Sequence, residues 1–398
     1  MKTLSYTLCA VLAAGFAFTG DAQVKPKSKK VTELKYSGRI QGQWDGIESD
    51  AQDGSKEDRN HFYFRRLFLG GHAKIGDNWG GDIVLDFAAS PNSETAKFKV
   101  DDKEYKTSAD QVFIDGASVW YKHSDAFRID LGQLKVPFGF EETTSSSKTK
   151  AIERSVVNRQ FAEQLKFNAR HTGLFAKGDL GGGFSYGAAV VNSGQNHNSK
   201  DSQLKGGEYG YDSNELSYFG QLAYANYDGD ITKKLGIAAG IMELDEASNK
   251  YEADDITAYN IFGQLGFGRF VLEGEYMTGK VSGPGHDHKG YSIQGSYAIS
   301  NAPAGSWELV YRYSTVENAE GLVSAKEIVR RANIAVSKGE VDEIDQHYIG
   351  VNYLFNGHDA KLMLGYEMND LMDSKGDKTW NGNSSSADGF RARVQFLF

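Results

Sequence analysis

From residue 34 to residue 398 the chain is a succession of short segments in which apolar and polar residues alternate, joined by connections that are by turns tiny and long. Gly76-Asp77-Asn78, His123-Ser124-Asp125, Leu180-Gly181-Gly182, Asp228-Gly229-Asp230, Gly268-Arg269, 301–305 and Asn356-Gly357-His358 are tight. Between them, 90–110, 134–168, 193–214, 244–257, 280–288, 317–342 and 370–387 are long and polar. A soluble β-sandwich has no reason to sort its loops in this way. A barrel that crosses an outer membrane does, because its periplasmic turns all lie at one rim and its extracellular loops at the other. The expected fold is therefore all-β: a closed antiparallel transmembrane β-barrel.

Period-two segments fall near 34–44, 61–75, 81–89, 111–122, 127–133, 170–178, 183–192, 215–227, 233–243, 258–267, 269–279, 289–299, 306–316, 344–355, 359–369 and 388–398. This predicts about 16 strands, an even number as a bacterial barrel requires. Five prolines in 398 residues suit long ladders, because proline cannot donate to one. A mean hydropathy of −0.49 excludes a bundle of membrane helices, which needs apolar runs of about 20 residues. Tyr291, Ile293, Tyr297 and Ile299 share a face, as do Trp307, Leu309, Tyr311 and Tyr313, and Ile349, Val351, Tyr353 and Phe355. Those faces are expected to meet lipid and their polar neighbours the lumen.

The two ends carry separate signals. Lys2, the apolar stretch Leu8–Phe18 and Gly20-Asp21-Ala22 read as a signal peptide over 1–22. A short basic segment, 23–33, precedes the barrel at 34–398. Cys9 is the single cysteine and lies in the leader, so the mature chain offers no disulfide or thiol chemistry. The net charge of −9 argues against a nucleic-acid partner. At the other end Phe390, Ala392, Val394, Phe396 and Phe398 share one face, with Arg391, Arg393 and Gln395 on the other. A terminal aromatic strand resembles the signal by which the barrel-assembly machinery recognises its clients, and outer-membrane lipid would surround the apolar face. Arg391 and Arg393 are read as facing water, with Arg393 replaceable.

The segment Leu131-Gly132-Gln133-Leu134-Lys135-Val136-Pro137-Phe138-Gly139, with the stretch running on to Glu153-Arg154-Ser155, resembles the phosphate-selective porin O and P family. So does Phe62-Tyr63-Phe64-Arg65-Arg66-Leu67-Phe68-Leu69-Gly70, with its arginine pair. The resemblance implies a sixteen-stranded barrel, a homotrimer, and a third long loop folded inward as a constriction. It also implies phosphate among the solutes. The lysine motif falls at the end of the fifth strand, where such a loop would begin.

Charge then points to a route. Lys135, Lys148, Lys150, Arg154, Arg159, Lys166 and Arg170 stand against Glu141, Glu142, Glu153 and Glu163 between 134 and 170, seven minus four, or +3. A positive constriction favours anions, and guanidinium forks match phosphate oxygens. Arg66 is expected on the wall, with Arg65 turned away, since adjacent strand residues point to opposite faces. Arg66, Lys135, Lys148, Lys150, Arg154 and Arg159 are the candidate constriction and anion-binding residues. Lys74, Arg312, Arg391 and Arg393 are candidate lumen wall. Across the whole lumen, Arg66, Lys74, Arg128, Arg312, Lys361, Arg391 and Arg393 are matched by Asp82, Asp86, Asp130, Glu273, Glu275, Glu308 and Glu367. That balance predicts a modest preference.

No Walker loop, nucleophile elbow or zinc-protease motif is present, so no catalytic residue, metal or cofactor is expected. His286-Asp287-His288 reads as a solvent-exposed loop tip, and 322–337 has helical spacing. The reading is a passive porin in the outer membrane of a Gram-negative bacterium, admitting small hydrophilic solutes, anionic or polar. A barrel hydrolase acting on lipid or ester, and a sealed structural or adhesive barrel, are the alternatives.

Overall fold

The computed structural model describes residues 31–50, 56–88, 96–100, 103–107, 112–192, 216–229, 231–244, 255–282, 287–300, 302, 304–318, 323, 341–372 and 385–398. The expected leader at 1–22 lies outside them, as does most of 23–33 and of the expected helix at 322–337. The chain order is β1 (Val31–Asp50), β2 (Lys56–Ile75), β3 (Trp79–Asp86), β4 (Ala96–Val100), β5 (Lys103–Thr107), β6 (Phe113–Ser124) and β7 (Phe127–Lys135). After the third long connection come β8 (Arg170–Gly181), β9 (Phe184–Asn192), β10 (Leu216–Asn226), β11 (Ile231–Glu243), β12 (Asp255–Phe267) and β13 (Phe270–Val281). The chain closes with β14 (Asp287–Ala298), β15 (Ser306–Glu317), β16 (Glu343–Asn356), β17 (Ala360–Met372) and β18 (Ser385–Leu397).

All but β4 and β5 pair with their neighbours into one closed barrel of sixteen strands, and β1 meets β18 to complete it. Closure leaves no strand edge facing lipid, where unpaired backbone groups would have no partner. At the seam Gly38 N–H donates to Phe398 O (2.7 Å) and Phe398 N–H to Gly38 O (3.2 Å), so the last residue is locked onto the first strand. Gly268 and Gly357 hold φ of 57° and 54° at two of the tight turns, a region that a side chain disfavours.

The lipid faces follow the alternation. Ile293, Leu309, Ile349, Val394 and Phe396 are exposed on the outer surface. Rings pack at tilted angles along the rim of tight turns: Trp79 against Tyr121 (4.8 Å), Phe184 against Tyr224 (5.0 Å) and Trp307 against Tyr353 (4.7 Å). Such a girdle suits the membrane–water boundary.

Several expectations need correction. β1 begins at Val31, inside 23–33, the short basic segment expected to precede the barrel. The connection 90–110, read as loop, contains the hairpin β4–β5 outside the barrel. β1 and β2 each run to 20 residues, roughly 65 Å at ~3.3 Å per residue, whereas β3 has 8, so the wall is tall on one side and low on the other. His288 is not a loop tip: it is fully buried inside β14, with Gln160 Nε2 at 3.2 Å from its Nδ1. His286 lies outside the described residues.

Candidate functional site

The third long connection, 136–169, lies inside the barrel. Val136 and Phe138 are fully buried and start an apolar cluster with Phe161, Phe167, Phe219 and Met277. Phe138 and Phe219 both meet the Phe167 ring, at 4.9 and 5.1 Å. Gly139 then turns the chain with φ 82°, and a Cβ there would press on the Asn168 amide and on Met277. The turn aims the amides that open α1 (Phe140–Thr143) at the far wall. Phe140 N–H donates to Glu275 Oε2 (2.8 Å) and Glu141 N–H to Oε1 (3.4 Å).

From there the loop is sewn to the barrel by its own carbonyls. Ser146 O accepts from Gln41 on β1, and Ser147 O from Gln395 on β18. Thr149 O accepts from Lys361 on β17, Lys150 O from Asn352 on β16, and Glu153 O from Arg312 on β15. Five carbonyls thus take donors from five successive strands. A loop whose buried backbone groups are partnered this way can lie in a dry lumen without a desolvation penalty. Next, Ser155 caps α2 (Val156–Arg159), its Oγ accepting from Asn158 N–H, and its own N–H and hydroxyl donate to Glu141.

Two carboxylates organise the cations. Glu153, 3% exposed, takes Arg65 (2.9 Å), Arg393 (2.6 Å) and Arg159 (3.4 Å). Burial alone would raise its carboxyl, but Arg65, Arg393, Arg159 and Arg391 together hold it well below the usual carboxylate range. Arg391 bridges Asp45 (2.6 Å) and Glu367 (2.9 Å) beside it. Glu142 takes Lys135 (2.6 Å) and Arg154 (3.1 Å), and these, opposing its burial, hold it below its ordinary value.

The candidates therefore divide. Arg159 is 1% exposed, and Arg391 and Arg393 are 2% and 1% exposed, so none of them faces water. The alternation placed Arg391 and Arg393 on the inner face; it could not show that the loop covers that face. Lys135 and Arg154 share Glu142, Lys150 reaches Glu273 (3.4 Å), and Lys148 is exposed. On the wall Arg312 binds Glu141 (3.1 Å), and Lys74 sits 3.7 Å from Glu33 near the rim of tight turns.

Arg66 does point inward, and so does Arg65, against expectation. Gln41 pairs with Arg66 and the next residue, Gly42, with Phe64, so Arg65 is the extra residue of a β-bulge. The bulge cancels the alternation for one step and turns two consecutive guanidiniums into the lumen. Arg66 donates to Gln41 Oε1 (2.9 Å) and has no carboxylate partner among the described residues. Arg39, which the sequence did not single out, stands near it. It donates to Ser146 (2.6 Å) and Ser145 (3.3 Å), lies over Phe68, and likewise has no carboxylate among the described residues. Its one legible signal was inward parity with Gln41 and Gln43 on β1.

Arg39 lies within electrostatic reach of Asp115, Arg170 and Arg154; Arg66 of Arg65, Arg393, Arg154 and Glu153; and Lys135 of Arg154, Glu142 and Arg170. Arg170 pairs with Asp115 (2.6 Å). Arg39, Arg66, Asp115, Lys135, Arg154 and Arg170 are half-buried and, with the buried Glu142, lie between the loop and the walls of β1, β2, β3, β6 and β8. Five cations (Arg39, Arg66, Lys135, Arg154, Arg170) stand against three carboxylates (Asp86, Asp115, Glu142), leaving +2.

A model of the family described as phosphate-selective porin O and P matches residues 34–398. Porin O of Pseudomonas aeruginosa is 23% identical, the alignment covering 100% of this chain and 98% of that protein. Among solved structures, an anion-selective porin from Comamonas acidovorans superposes with a TM-score of 0.58 at 14% identity, covering 92% of this chain and 99% of that one. OmpF of Salmonella typhi gives 0.60 at 13% identity, covering 92% and 98%. At such identities the structural likeness speaks for the barrel alone.

Proposed function

Because the chain belongs to the phosphate-selective porin O and P family and folds as a sixteen-stranded outer-membrane barrel, we propose that it is a passive, modestly anion-preferring diffusion porin whose preference is set in the gap beside the inward loop. The observation that carries this reading is the separation of the lumen cations into two classes. Those on Glu153 are ion-paired and at most an eighth exposed, while Arg39 and Arg66 are half-buried with no carboxylate at ion-pair distance among the described residues. Charge at the narrowest point of a pore selects ions, and uncompensated charge selects most. Arg154, Lys135 and Arg170 extend the positive field, but Glu142 and Asp115 beside them moderate it. Inorganic phosphate and other small anions would pass with a shallow preference and no tight site.

Lys148 and Lys150 belong to the opposite side of the loop, and Arg159 acts by holding the loop in place. The protein does no chemistry on its solutes in this reading. It assembles as a homotrimer in outer-membrane lipid after loss of residues 1–22, with Phe398 presented to the assembly machinery. Reversal potentials of the purified porin in a potassium chloride gradient test the proposal. Anion preference should fall when Arg39→Gln and Arg66→Gln are combined, and an unchanged potential would place selectivity elsewhere.

A further inference from the structure

The loop enters the barrel as a short limb, 136–141, that crosses from β7 to β13 before the stitched stretch begins. Val136 and Phe138 on this limb share one apolar cluster with Phe175, Ala189, Phe219, Ala238, Ala258 and Met277, inward residues of the six successive strands β8 to β13. All eight are at most 6% exposed. An alanine methyl on the wall of a water-filled lumen cannot shield itself, so its burial requires atoms packed over it. This half of the cross-section is therefore dry.

The far end of the limb is held by rings. Gly236 on β11 leaves room for the Phe262 ring, which a Cβ at that position would strike. Phe140 stacks on Phe262 (5.4 Å, 15°), and the Lys234 ammonium lies over the two rings, at 5.1 Å from Phe140 and 5.8 Å from Phe262. Lys234 has no carboxylate at ion-pair distance among the described residues, so the ring faces are its counterpart. At the near end Pro137 rests against Gly187 on β9, where a Cβ would come within 2.8 Å of it. None of these side-chain contacts uses a carboxylate, unlike the anchors at Glu153 and Glu142.

Elsewhere the loop meets the wall through polar contacts. Its carbonyls reach β1 and β15–β18, and Gln160 reaches His288 on β14. The half-buried charges Arg66, Asp86 and Asp115 stand on the remaining side, towards β2, β3 and β6.

We propose that the apolar limb is a partition that closes the β8–β13 half of the lumen to ions, with Phe140, latched by Phe262 and Lys234, as its positioning residue. A dry apolar section excludes ions by dewetting. Ions then have no uncharged bypass, and the cations of the gap act on the whole current. A parallel uncharged path would carry both signs alike and dilute the preference in proportion to its share of the conductance. This rests on the reading of the gap beside Arg39 and Arg66 as the ion path.

Cysteine accessibility and single-channel recording test it together, in a chain whose single cysteine, Cys9, lies in the expected leader. An anionic methanethiosulfonate should leave the current of Ala238→Cys unaltered and change that of Arg66→Cys. Phe140→Ala should raise the conductance, bring the anion-to-cation permeability ratio toward one, and make Ala238→Cys reactive. Phe140→Tyr, which keeps the stack, should restore the wild-type conductance and ratio. Should Phe140→Ala give no folded channel, Lys234→Met, which removes only the ammonium, should shift conductance and ratio the same way by less. Rapid reaction at Ala238→Cys with Phe140 intact would overturn the partition. A higher conductance at an unchanged ratio in Phe140→Ala would overturn it too, because the gap alone would have widened. Unchanged conductance and ratio in Phe140→Ala, or in Lys234→Met where that variant replaces it, would overturn the latch. Silence at both cysteines would instead defeat the reading of the gap as the ion path.

Discussion

The cluster around Glu153 and the gap around Arg39 and Arg66 are built from the same side chain and behave oppositely. At Glu153 three guanidiniums converge on one carboxylate, every member at most an eighth exposed, and the loop is fixed to β2 and β18 as a result. Arg39 and Arg66 rest on hydroxyls, an amide and an aromatic ring, with no carboxylate at ion-pair distance among the described residues. An arginine in a lumen is therefore not by itself a selectivity residue. What decides is whether a carboxylate has already claimed it, and whether water reaches it.

The largest effect expected from breaking this contrast is at Glu153. Glu153→Gln strands Arg65, Arg159 and Arg393 without their shared counter-charge, a change that typically costs about 3–5 kcal/mol when the site is buried. Thermal unfolding in detergent should shift down, and single-channel conductance should rise as the loop comes away from the wall. Normal conductance with an unshifted melting curve would mean the carbonyl stitching suffices.

A charge on the lipid face comes next. Val394→Arg should impair assembly at roughly 2–4 kcal/mol for a midplane site, read as loss of the folded, heat-modifiable band on electrophoresis. Arg393→Gln, which alternation alone suggests is harmless, should also destabilise, because it removes a partner from Glu153 and from Gln43. If Arg393→Gln were silent while Val394→Arg were not, the buried cluster would be of little consequence.

The gap variants should be mild in stability and specific in function. Arg66→Gln should leave unfolding within about 0.5 kcal/mol, the range typical of changes that break no buried network. It should still move the reversal potential toward cation permeation. Arg159→Gln should do the reverse, lowering stability with little change in the ratio of permeabilities.

The smallest effect concerns pH. Glu153 and Glu142 both have carboxyls held below their ordinary range, so their contribution is complete above the unfolded value near ~4.3 and fades only as pH falls through the lower folded values. Loop anchoring, followed by conductance, should therefore stay flat from neutral pH to about 4.5. An opening already near pH 5 would show that the surrounding arginines protect these carboxylates less than their contacts imply.

Period-two alternation and the sorting of connections by length determined the barrel, its sixteen strands, the lipid-facing rows and the inward parity of Arg66, Arg312, Arg391 and Arg393. These properties are local: two neighbouring residues in a strand must point to opposite faces, whatever the rest of the chain does. Tertiary structure alone decided what happens where locality fails. The bulge at Arg65 depends on how β1 and β2 register over 20 residues each, and it turns an arginine inward that alternation sends out. The fate of each cation depends on which carboxylate reaches it across the lumen: Glu153 meets Arg393 from 240 positions away in the chain, and Lys361 meets Thr149 O from 212. Counting charges along 134–170 gives their sum but not their pairing. Pairing is set by distances of a few ångströms between residues that only the closed barrel brings together, and screening by a partner at that range outweighs any net charge summed along the sequence.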